Sequence, residues 1–444
     1  MGKHLSCGRV VDAERRIPSD VKTMAKPILN VAIVLHMHQP RYDVTGGALS
    51  SETAMDVFRQ TLHPYTFPPD IIKASDKAKV NFNFTGSLIE QINELAAVNF
   101  SPKLKGILKE YRSLKEAGKV ELTGCGYFHP IFPLIPEAHR RRQIEMHLKT
   151  YEETFGGRPV GFWPPELAFS EDLIPLLDNM GFKWTIVDEP HVINANKDRK
   201  WHELVFHPHL LEHDGNQIAV VVRDRGISIA QQSGYDPNWL NKEVQSKLRR
   251  VPKNARENLL LVIATDGENG WFRHFGERAG FWGWFFKPLL EKLDSDPSFE
   301  FVKLTTIQEY LCDHTPEDVV KVESGSWNFE GWPNDGGFRK WTGGKPREER
   351  WKEIKLVSRR ITETEEKVKR FGEGCPTKVK ESLEEAWRWL LMAETSCNFY
   401  WGTEEWLDKA RICCAKAMEQ VKETERLCSR FLNPTAGRPK ESIV

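Results

Sequence analysis

Short β-rich runs alternate with longer helical patterns along most of this chain, and this alternation limits the possible folds more than any other feature. Strands that are separated by helices run parallel, so the pattern predicts a parallel sheet or barrel. The predicted strands are Val31–His36, Val80–Thr85, Val120–Thr123, Val160–Trp163, Lys183–Val187, Ile218–Val222, Leu259–Thr265 and Phe301–Leu304.

The segments between these strands have the spacing of amphipathic helices. In Glu171–Met180, Leu173, Leu176 and Leu177 fall on one helical face, and Ser170 stands before them as an N-cap. Such helices are typical of the connections between parallel strands.

The pattern changes near Pro346, where strand signals end and long helices rich in Glu, Lys and Arg begin. These helices are predicted at 346–371, 377–397 and 403–431. The segment before them, Glu323–Lys345, has six Gly and three Trp and is predicted to be a loop near an active site. The predicted parts are a disordered extension (1–23, with Met24 as the native start), a barrel (24–322), the loop (323–345) and a helical domain (346–444).

Charge and hydropathy exclude two classes of partner. Lys plus Arg and Asp plus Glu both number 63, so the net charge is zero and a nucleic-acid-binding role is not expected. The longest apolar runs, such as Leu259–Ala264, are too short to span a bilayer, so no membrane partner is expected. The eight cysteines have no C-x-x-C pair, and residues 1–23 lack the apolar core of a secretory signal, which favours reduced thiols and a cytoplasmic location.

Polar and aromatic residues follow several predicted strands at their carboxyl ends, where ligands collect in parallel α/β folds. Glu166 follows the fourth strand, and Asp266 follows the seventh. A single acid here is most often a helix cap. Two carboxylates from different strands at one end of a barrel are what glycoside hydrolysis needs, since one must be ionised while the other holds a proton.

The histidines and tryptophans near these acids allow more than one interpretation. His36 and His38 alternate on a strand, so one of them can be a core histidine; with His129 and Asp266 they can also be ligands of Zn²⁺. Neutral imidazoles can equally bind sugar hydroxyls. Trp163 and Trp271 stand near the acids, either as core residues or as indole surfaces for a sugar.

Taken together, the motifs resemble glycoside hydrolase family 57, whose members act on α-glucans as amylases, 4-α-glucanotransferases, branching enzymes and amylopullulanases. The resemblance implies an incomplete (β/α)7 barrel followed by a C-terminal α-helical domain. It rests on five segments in the family's order: His38–Pro40, Gly124–Pro130, Gly161–Glu166, Asp266–Glu268 and Ala393–Gly402.

By this resemblance, Glu166 is expected to be the nucleophile and Asp266 the general acid/base of a retaining mechanism that needs no metal ion and no organic cofactor. The last of the five segments, Ala393–Gly402, is called the late segment below. It departs from the family because Ser396 is followed by Cys397 rather than Asp, and Glu394 is expected to take the place of that acid. The residues expected to bind the sugar are His36, His38, His129, Trp163, Glu268, Trp271, Glu394 and Trp401.

The resulting hypothesis is an amylase-like enzyme that acts on glycogen, starch or maltodextrin. A 4-α-glucanotransferase or branching enzyme is the alternative on the same substrates. A metal-dependent deacetylase or mannosidase-like hydrolase and a non-catalytic glucan-binding protein are alternatives of other classes.

Overall fold

A computed structural model describes residues 29–46, 51–232, 235–268, 280–328 and 337–432. The predicted extension 1–23, Met24 and Trp271 lie outside these residues. Within the described ranges there are nine strands: β1 Leu29–Met37, β2 Val80–Phe84, β3 Val120–Thr123, β4 Gly161–Phe162, β5 Trp184–Asp188, β6 His209–His213, β7 Asn216–Arg223, β8 Leu259–Asp266 and β9 Val302–Leu304.

Seven parallel strands form the main sheet in the order β3-β2-β1-β8-β7-β5-β4. A parallel bridge between Gly124 and Phe162 brings the two outer strands together after β3, with Gly124 N–H donating to Gly161 O at 2.8 Å. The sheet therefore curls into an incomplete barrel, and the predicted fold class is confirmed. The central strands read as continuous apolar runs because both of their faces are covered; all nine residues of β1 are buried.

Two strands differ from the sequence prediction. β6 was not predicted; it pairs antiparallel with β7 through a tight turn at Asp214 and Gly215, both with positive φ. β4 has only two residues, since Pro164 and Pro165 end it. Gly161 is required there because a Cβ atom would overlap the Trp184 indole.

The helices are α1 Glu52–Thr66, α2 Pro68–Lys73, α3 Gly86–Ala97, α4 Ile107–Glu116, α5 Glu137–Phe155, α6 Ile174–Asn179, α7 Glu189–Ala195, α8 Trp201–Val205, α9 Arg225–Gln232, α10 Pro237–Arg249, α11 Lys287–Ser295, α12 Ile307–Asp313, α13 Arg339–Thr342, α14 Lys345–Lys369, α15 Thr377–Ala393, α16 Ser396–Trp401 and α17 Glu404–Leu432. Among the described residues, no helix combines enough length and apolar character to cross a membrane.

The predicted helix at Glu171–Met180 begins as a 3-10 turn, Glu171–Leu173, and becomes α-helical only as α6. Ser170 does not cap it, because its hydroxyl turns to the Asp172 carboxylate. The predicted helix 377–397 is also divided: α15 ends at Ala393, and α16 begins at Ser396.

The long helices α14, α15 and α17 pack into a C-terminal helical region with its own apolar core. That core also contains Tyr127 and Phe128 from the loop after β3. Arg388 of α15 binds both oxygens of Glu90 on α3, at 2.6 and 2.7 Å. These contacts hold the helical region against the carboxyl end of the barrel, so that α16 faces the strand ends.

Candidate active site

A cleft of about 700 Å³ opens between the carboxyl ends of the strands and α16. Strands β1 and β8 end side by side, with His36 paired in register to Asp266. Six of the predicted site residues line the cleft together with Asp266: His36, His38, His129, Glu166, Glu268 and Trp401. The structure thus brings the two predicted catalytic carboxylates into one site.

The chain holds Glu166 in a constrained turn. Its φ is 59° and its ψ is 17°, in the left-handed region, and Leu167 follows with φ 49°. Such a conformation costs about 1–2 kcal/mol for each non-glycine residue, so the surroundings must hold it in place. Leu167 N–H donates to Pro164 O at 2.8 Å, and Trp327 N–H donates to Glu166 O at 3.0 Å. The turn directs the Glu166 side chain into the cleft.

The Glu166 carboxylate has two side-chain partners. Trp327 Nε1–H donates to Oε2 at 2.7 Å, and Ser396 Oγ lies 3.4 Å from Oε1. Burial raises the pKa of Glu166 to about 7, and the nearby Asp266 adds to the rise, while the bond from Trp327 opposes it. At neutral pH this carboxyl is therefore close to half protonated.

Glu268 is held beside β1. Its Oε1 accepts from the backbone N–H of His38 and from the Tyr65 hydroxyl, both at 2.9 Å. Burial raises the pKa of Glu268 to about 8, and Asp266 adds to the rise. A protonated Glu268 would offer a hydrogen-bond donor to a sugar hydroxyl at neutral pH.

The three histidines lie as a stack on the floor of the cleft. The rings of His38 and His129 are 4.0 Å apart, and the His36 ring lies 4.7 Å from that of His129 and 5.1 Å from the Trp163 indole. Burial lowers the pKa of His36 to about 4 and holds the pKa values of His38 and His129 well below 6.5. The stack is therefore neutral. His38 follows the end of β1, which is why His36 and His38 can both reach the cleft.

His38, His129 and Cys397 are the described residues best placed to hold a metal ion, with one ligand atom each within 4.8 Å of one another. Cys397 Sγ lies 3.5 Å from His38 Nε2, a spacing that suits two ligands of one Zn²⁺. The two imidazoles, however, are stacked with only 14° between their planes. Their lone pairs lie in nearly parallel planes and do not point to a common centre, so one ring would have to turn.

Other predicted site residues stand apart from the cleft. Trp163 is fully buried beneath His36 and meets Trp327 edge to face, so it supports the floor rather than forming its surface. Glu394 is buried at the boundary between barrel and helical region, where its carboxylate pairs with His139 Nδ1 at 2.5 Å. The structure does not place Glu394 where the expected acid of the late segment would face a sugar.

Trp401, in contrast, is 57% exposed at the rim of the cleft and stacks on Trp406. Arg223, at the end of β7 and not among the predicted site residues, also lines the cleft. Its Nη1 donates to Asp188 at 2.8 Å, and its guanidinium lies over the Trp327 indole.

Trp327 and Ser396 were missed by sequence reasoning, although both contact Glu166. Trp327 belongs to the segment 323–345, whose glycines and tryptophans predicted a loop near the active site but gave no reason to select one indole. Ser396 lies in the late segment at the first turn of α16. Its hydroxyl lies 2.7 Å from His129 Nδ1, a contact that only the docking of α16 creates.

The family model of Glycosyl hydrolase family 57 matches residues 32–323, which include both carboxylates and the whole barrel sheet except the first three residues of β1. The chain belongs to glycosyl hydrolase family 57. Among curated proteins it is similar to the 4-alpha-glucanotransferase of Thermococcus litoralis, with 27% identity over 67% of this chain and 41% of the relative. It is also similar to the alpha-amylase of Pyrococcus abyssi, with 24% identity over 68% of this chain and 41% of that protein. The chain thus spans about two fifths of the length of these relatives.

Solved structures agree with the family's fold. A GH57-type branching enzyme from Pyrococcus horikoshii superposes with a TM-score of 0.67 at 17% identity, covering 91% of this chain and 95% of that one. The alpha-amylase AmyC from Thermotoga maritima gives a TM-score of 0.64 at 16% identity, covering 92% and 94%. At this identity the likeness shows the fold alone.

Proposed function

We propose that this protein is a retaining glycoside hydrolase that acts on α-1,4-glucans such as glycogen, starch or maltodextrin. The observation that carries the proposal is the shared cleft of Glu166 and Asp266. One carboxylate stands on a constrained turn after β4 and the other at the end of β8. Membership of the family, whose relatives include an alpha-amylase and a 4-alpha-glucanotransferase, supports the substrate class.

In the proposed first step, ionised Glu166 attacks the anomeric carbon while Asp266 gives its proton to the departing glycosidic oxygen. The bond between the anomeric carbon and that oxygen breaks, and an ester to Glu166 forms. Trp327 holds one oxygen of Glu166 by a hydrogen bond, which leaves the other oxygen to attack. The buried stack of His36, His38 and His129 lines the cleft with neutral rings, so it adds no positive charge near the anomeric centre.

In the second step, Asp266 removes a proton from an acceptor oxygen, which attacks the anomeric carbon and releases Glu166. Water as the acceptor gives hydrolysis, and a sugar hydroxyl gives glycosyl transfer. The exposed indole of Trp401 at the rim is suited to hold a sugar ring beside the centre. This feature favours a 4-α-glucanotransferase or branching enzyme as the second candidate.

The test is incubation of the protein and its Glu166→Ala variant with maltoheptaose, followed by separation of the products by chain length. Shorter sugars with new reducing ends are expected from hydrolysis. A ladder above seven units with constant reducing ends would establish transfer instead. The Glu166→Ala variant is expected to bind the sugar with nearly all turnover lost, and added azide is expected to restore some product of inverted configuration.

Two results would refute the proposal. Full turnover by Glu166→Ala would remove the nucleophile assignment. No product from maltoheptaose or glycogen with the unaltered protein would favour the other classes. Stoichiometric Zn²⁺ and an activity that a chelator abolishes would indicate a metal-dependent hydrolase. Binding of glucan without turnover would indicate a glucan-binding protein.

The proposal extends to organisation and location. We propose that residues 24–322 are the catalytic barrel, 323–345 a loop that contributes to the site, and 346–444 a helical domain that closes one side of it. A cytoplasmic location is part of the same proposal. Cysteines such as Cys125 and Cys413 are free thiols, as is usual in a reducing compartment.

A further inference from the structure

A row of buried hydrogen bonds leads from β2 to the Glu166 carboxyl, and its direction can be worked out from its first member. The Asn83 side-chain amide nitrogen faces three acceptors, which are the carbonyl and hydroxyl oxygens of Thr123 and the carbonyl of Gly124, at 3.2–3.4 Å. Its oxygen therefore faces His36 Nδ1, at 2.7 Å. Because an amide oxygen only accepts, His36 carries its hydrogen on Nδ1.

Each following bond is then determined in turn. Neutral His36 has a lone pair on Nε2, so the Nε2 of His129, 2.8 Å away, must donate to it. Neutral His129 consequently has its lone pair on Nδ1. Ser396 Oγ lies 2.7 Å from that nitrogen and must donate its hydrogen there. Burial of both imidazoles, which lowers their pKa values, keeps the pair neutral.

A serine hydroxyl has one hydrogen, and His129 receives it. The Ser396 oxygen therefore presents a lone pair to Glu166 Oε1, 3.4 Å away. The other carboxyl oxygen, Oε2, already accepts from Trp327. A proton on Oε1 can be donated to this lone pair, which completes the row of hydrogen bonds. An ionised Oε1 would instead place its own lone pair against that of Ser396, with no hydrogen between them.

We propose that His129 orients the Ser396 hydroxyl to accept a hydrogen bond from Glu166, and so holds a proton on that carboxyl in the free enzyme. The inference rests on the proposed function, in which Glu166 is the nucleophile, and makes His129 and Ser396 positioning residues for it. Before attack the proton on Oε1 passes to solvent water, while Asp266 holds the separate proton that it gives to the departing oxygen; no other bond changes. The row thus sets the pH above which the nucleophile becomes available.

Backbone hydrogen bonds hold His129 in position beside Ser396. His129 has φ 59°, in the left-handed region. Its backbone N–H donates to Gly126 O at 3.3 Å, and its carbonyl accepts from Ser396 N–H at 2.9 Å. Two bonds therefore join His129 to the start of α16, one through the backbone and one through the side chains. The backbone bond holds the start of α16 against His129 and so keeps Ser396 Oγ within reach of the imidazole.

Other charged and titratable groups also face Glu166 across the cleft. Asp266, whenever it is ionised, acts in the same direction as the row, since one carboxylate opposes a second negative charge beside it; the positive arginines act against the row. All of them remain in place in the variants below, so a difference between variants reports Ser396 and His129. These groups are Asp266, Glu268, His38, Cys397, Arg223 and Arg225.

The test is the pH profile of kcat/KM, whose acid limb reports the ionisation of groups in the free enzyme. Ser396→Ala removes the acceptor of the Glu166 proton, and we expect the limb to move to lower pH by about one unit, the worth of one hydrogen bond. If Ser396 instead donates to ionised Glu166, the same substitution moves the limb to higher pH. A limb that rises or does not move overturns the proposal.

His129→Leu provides a second variant, because it frees Ser396 to donate to Glu166; here too we expect the limb to fall. Leucine tolerates this backbone conformation within the same chain, since Leu167 has φ 49°. Ser87→Ala is the matched control. Ser87 is a buried serine whose hydroxyl contacts Thr85 and takes no part in the row of hydrogen bonds. We expect the acid limb of the Ser87→Ala variant to lie at the same pH as that of the unaltered protein.

An infrared titration of the unliganded protein separates this inference from the proposed function. The carbonyl band of a protonated carboxyl, assigned to Glu166 by its loss in Glu166→Gln, is expected to disappear at lower pH in Ser396→Ala than in the unaltered protein. A shift of this band without any turnover of glucans would refute the proposed function and retain the row. Turnover with an unshifted band would refute the row alone.

Discussion

Replacing Trp327 with phenylalanine removes the indole N–H that donates to Glu166 Oε2 at 2.7 Å, while an aromatic ring remains to meet Trp163 edge to face. The bond stabilises the ionised form of Glu166. Its loss therefore raises the pKa of Glu166 above the value of about 7 that burial and Asp266 already produce. Because attack requires the carboxylate, the acid limb of kcat/KM is expected to move to higher pH.

The size of the effect follows from the hydrogen bond. A bond to a charged group contributes about 1.5–3 kcal/mol, which corresponds to roughly one to two pKa units. With a starting pKa near 7, the ionised fraction of Glu166 at pH 7 falls from about one half to between about one tenth and one hundredth. We expect kcat/KM at pH 7 to fall by roughly 5- to 50-fold and to recover on the alkaline side.

The assay is the initial rate of maltooligosaccharide turnover between pH 5 and pH 9, with Trp282→Phe as the control. Trp282 is also fully buried, and its Nε1 has no hydrogen-bond partner among the described residues, so its loss should leave the acid limb in place. An acid limb that stays fixed in Trp327→Phe would refute the reasoning. A loss of activity equal at every pH would indicate a displaced side chain rather than an altered ionisation.

Three further predictions concern Asp266 and Trp401 in the cleft and Glu394 apart from it. Asp266→Ala is expected to slow turnover of unactivated glucans far more than turnover of aryl glycosides with good leaving groups; equal losses would contradict its role as acid. Trp401→Ala is expected to raise KM for long maltooligosaccharides by roughly 2- to 12-fold, the worth of one aromatic stacking contact, with an unchanged melting temperature. Glu394→Gln is expected to lower the free energy of unfolding by about 3 kcal/mol at pH 5.5, measured by urea titration. Burial lowers the pKa of His139, but Glu394 raises it by more. The pair of His139 and Glu394 therefore stabilises the fold below the ordinary histidine pKa, and this stabilisation is lost as the pH rises through the raised pKa. The destabilisation caused by Glu394→Gln should therefore be smaller at pH 8.5.

The helical region shows the limit of sequence reasoning for long elements. Its charged helices were predicted from their periodicity, and α14 and α17 lie close to the predicted ranges. The break between α15 and α16 was not predicted, because the residues around Glu394 continue the helical spacing. The break turns α16 toward the barrel, where its first residue reaches His129.

The local pattern of the chain by itself determined a parallel sheet or barrel, the places of most strands along the chain and the strand ends at which polar residues collect; the incomplete barrel was implied by the family resemblance. These features depend on apolar periodicity and on the short distance between a strand and the residues that follow it. The sequence also identified Glu166 and Asp266 as a pair of carboxylates at one end of the barrel; their catalytic roles stay a prediction.

Only the tertiary structure decided which side chains meet across long separations. Trp327 and Glu166 are 161 residues apart, and His129 and Ser396 are 267 apart. Their contacts depend on how the loop and the helical region dock onto the barrel, which no local pattern records. The same docking buries Glu394 against His139 and Trp163 beneath His36, away from the surface that a sugar would touch. Residue type and spacing thus determine which groups reach the site, whereas packing determines their partners and hence their protonation.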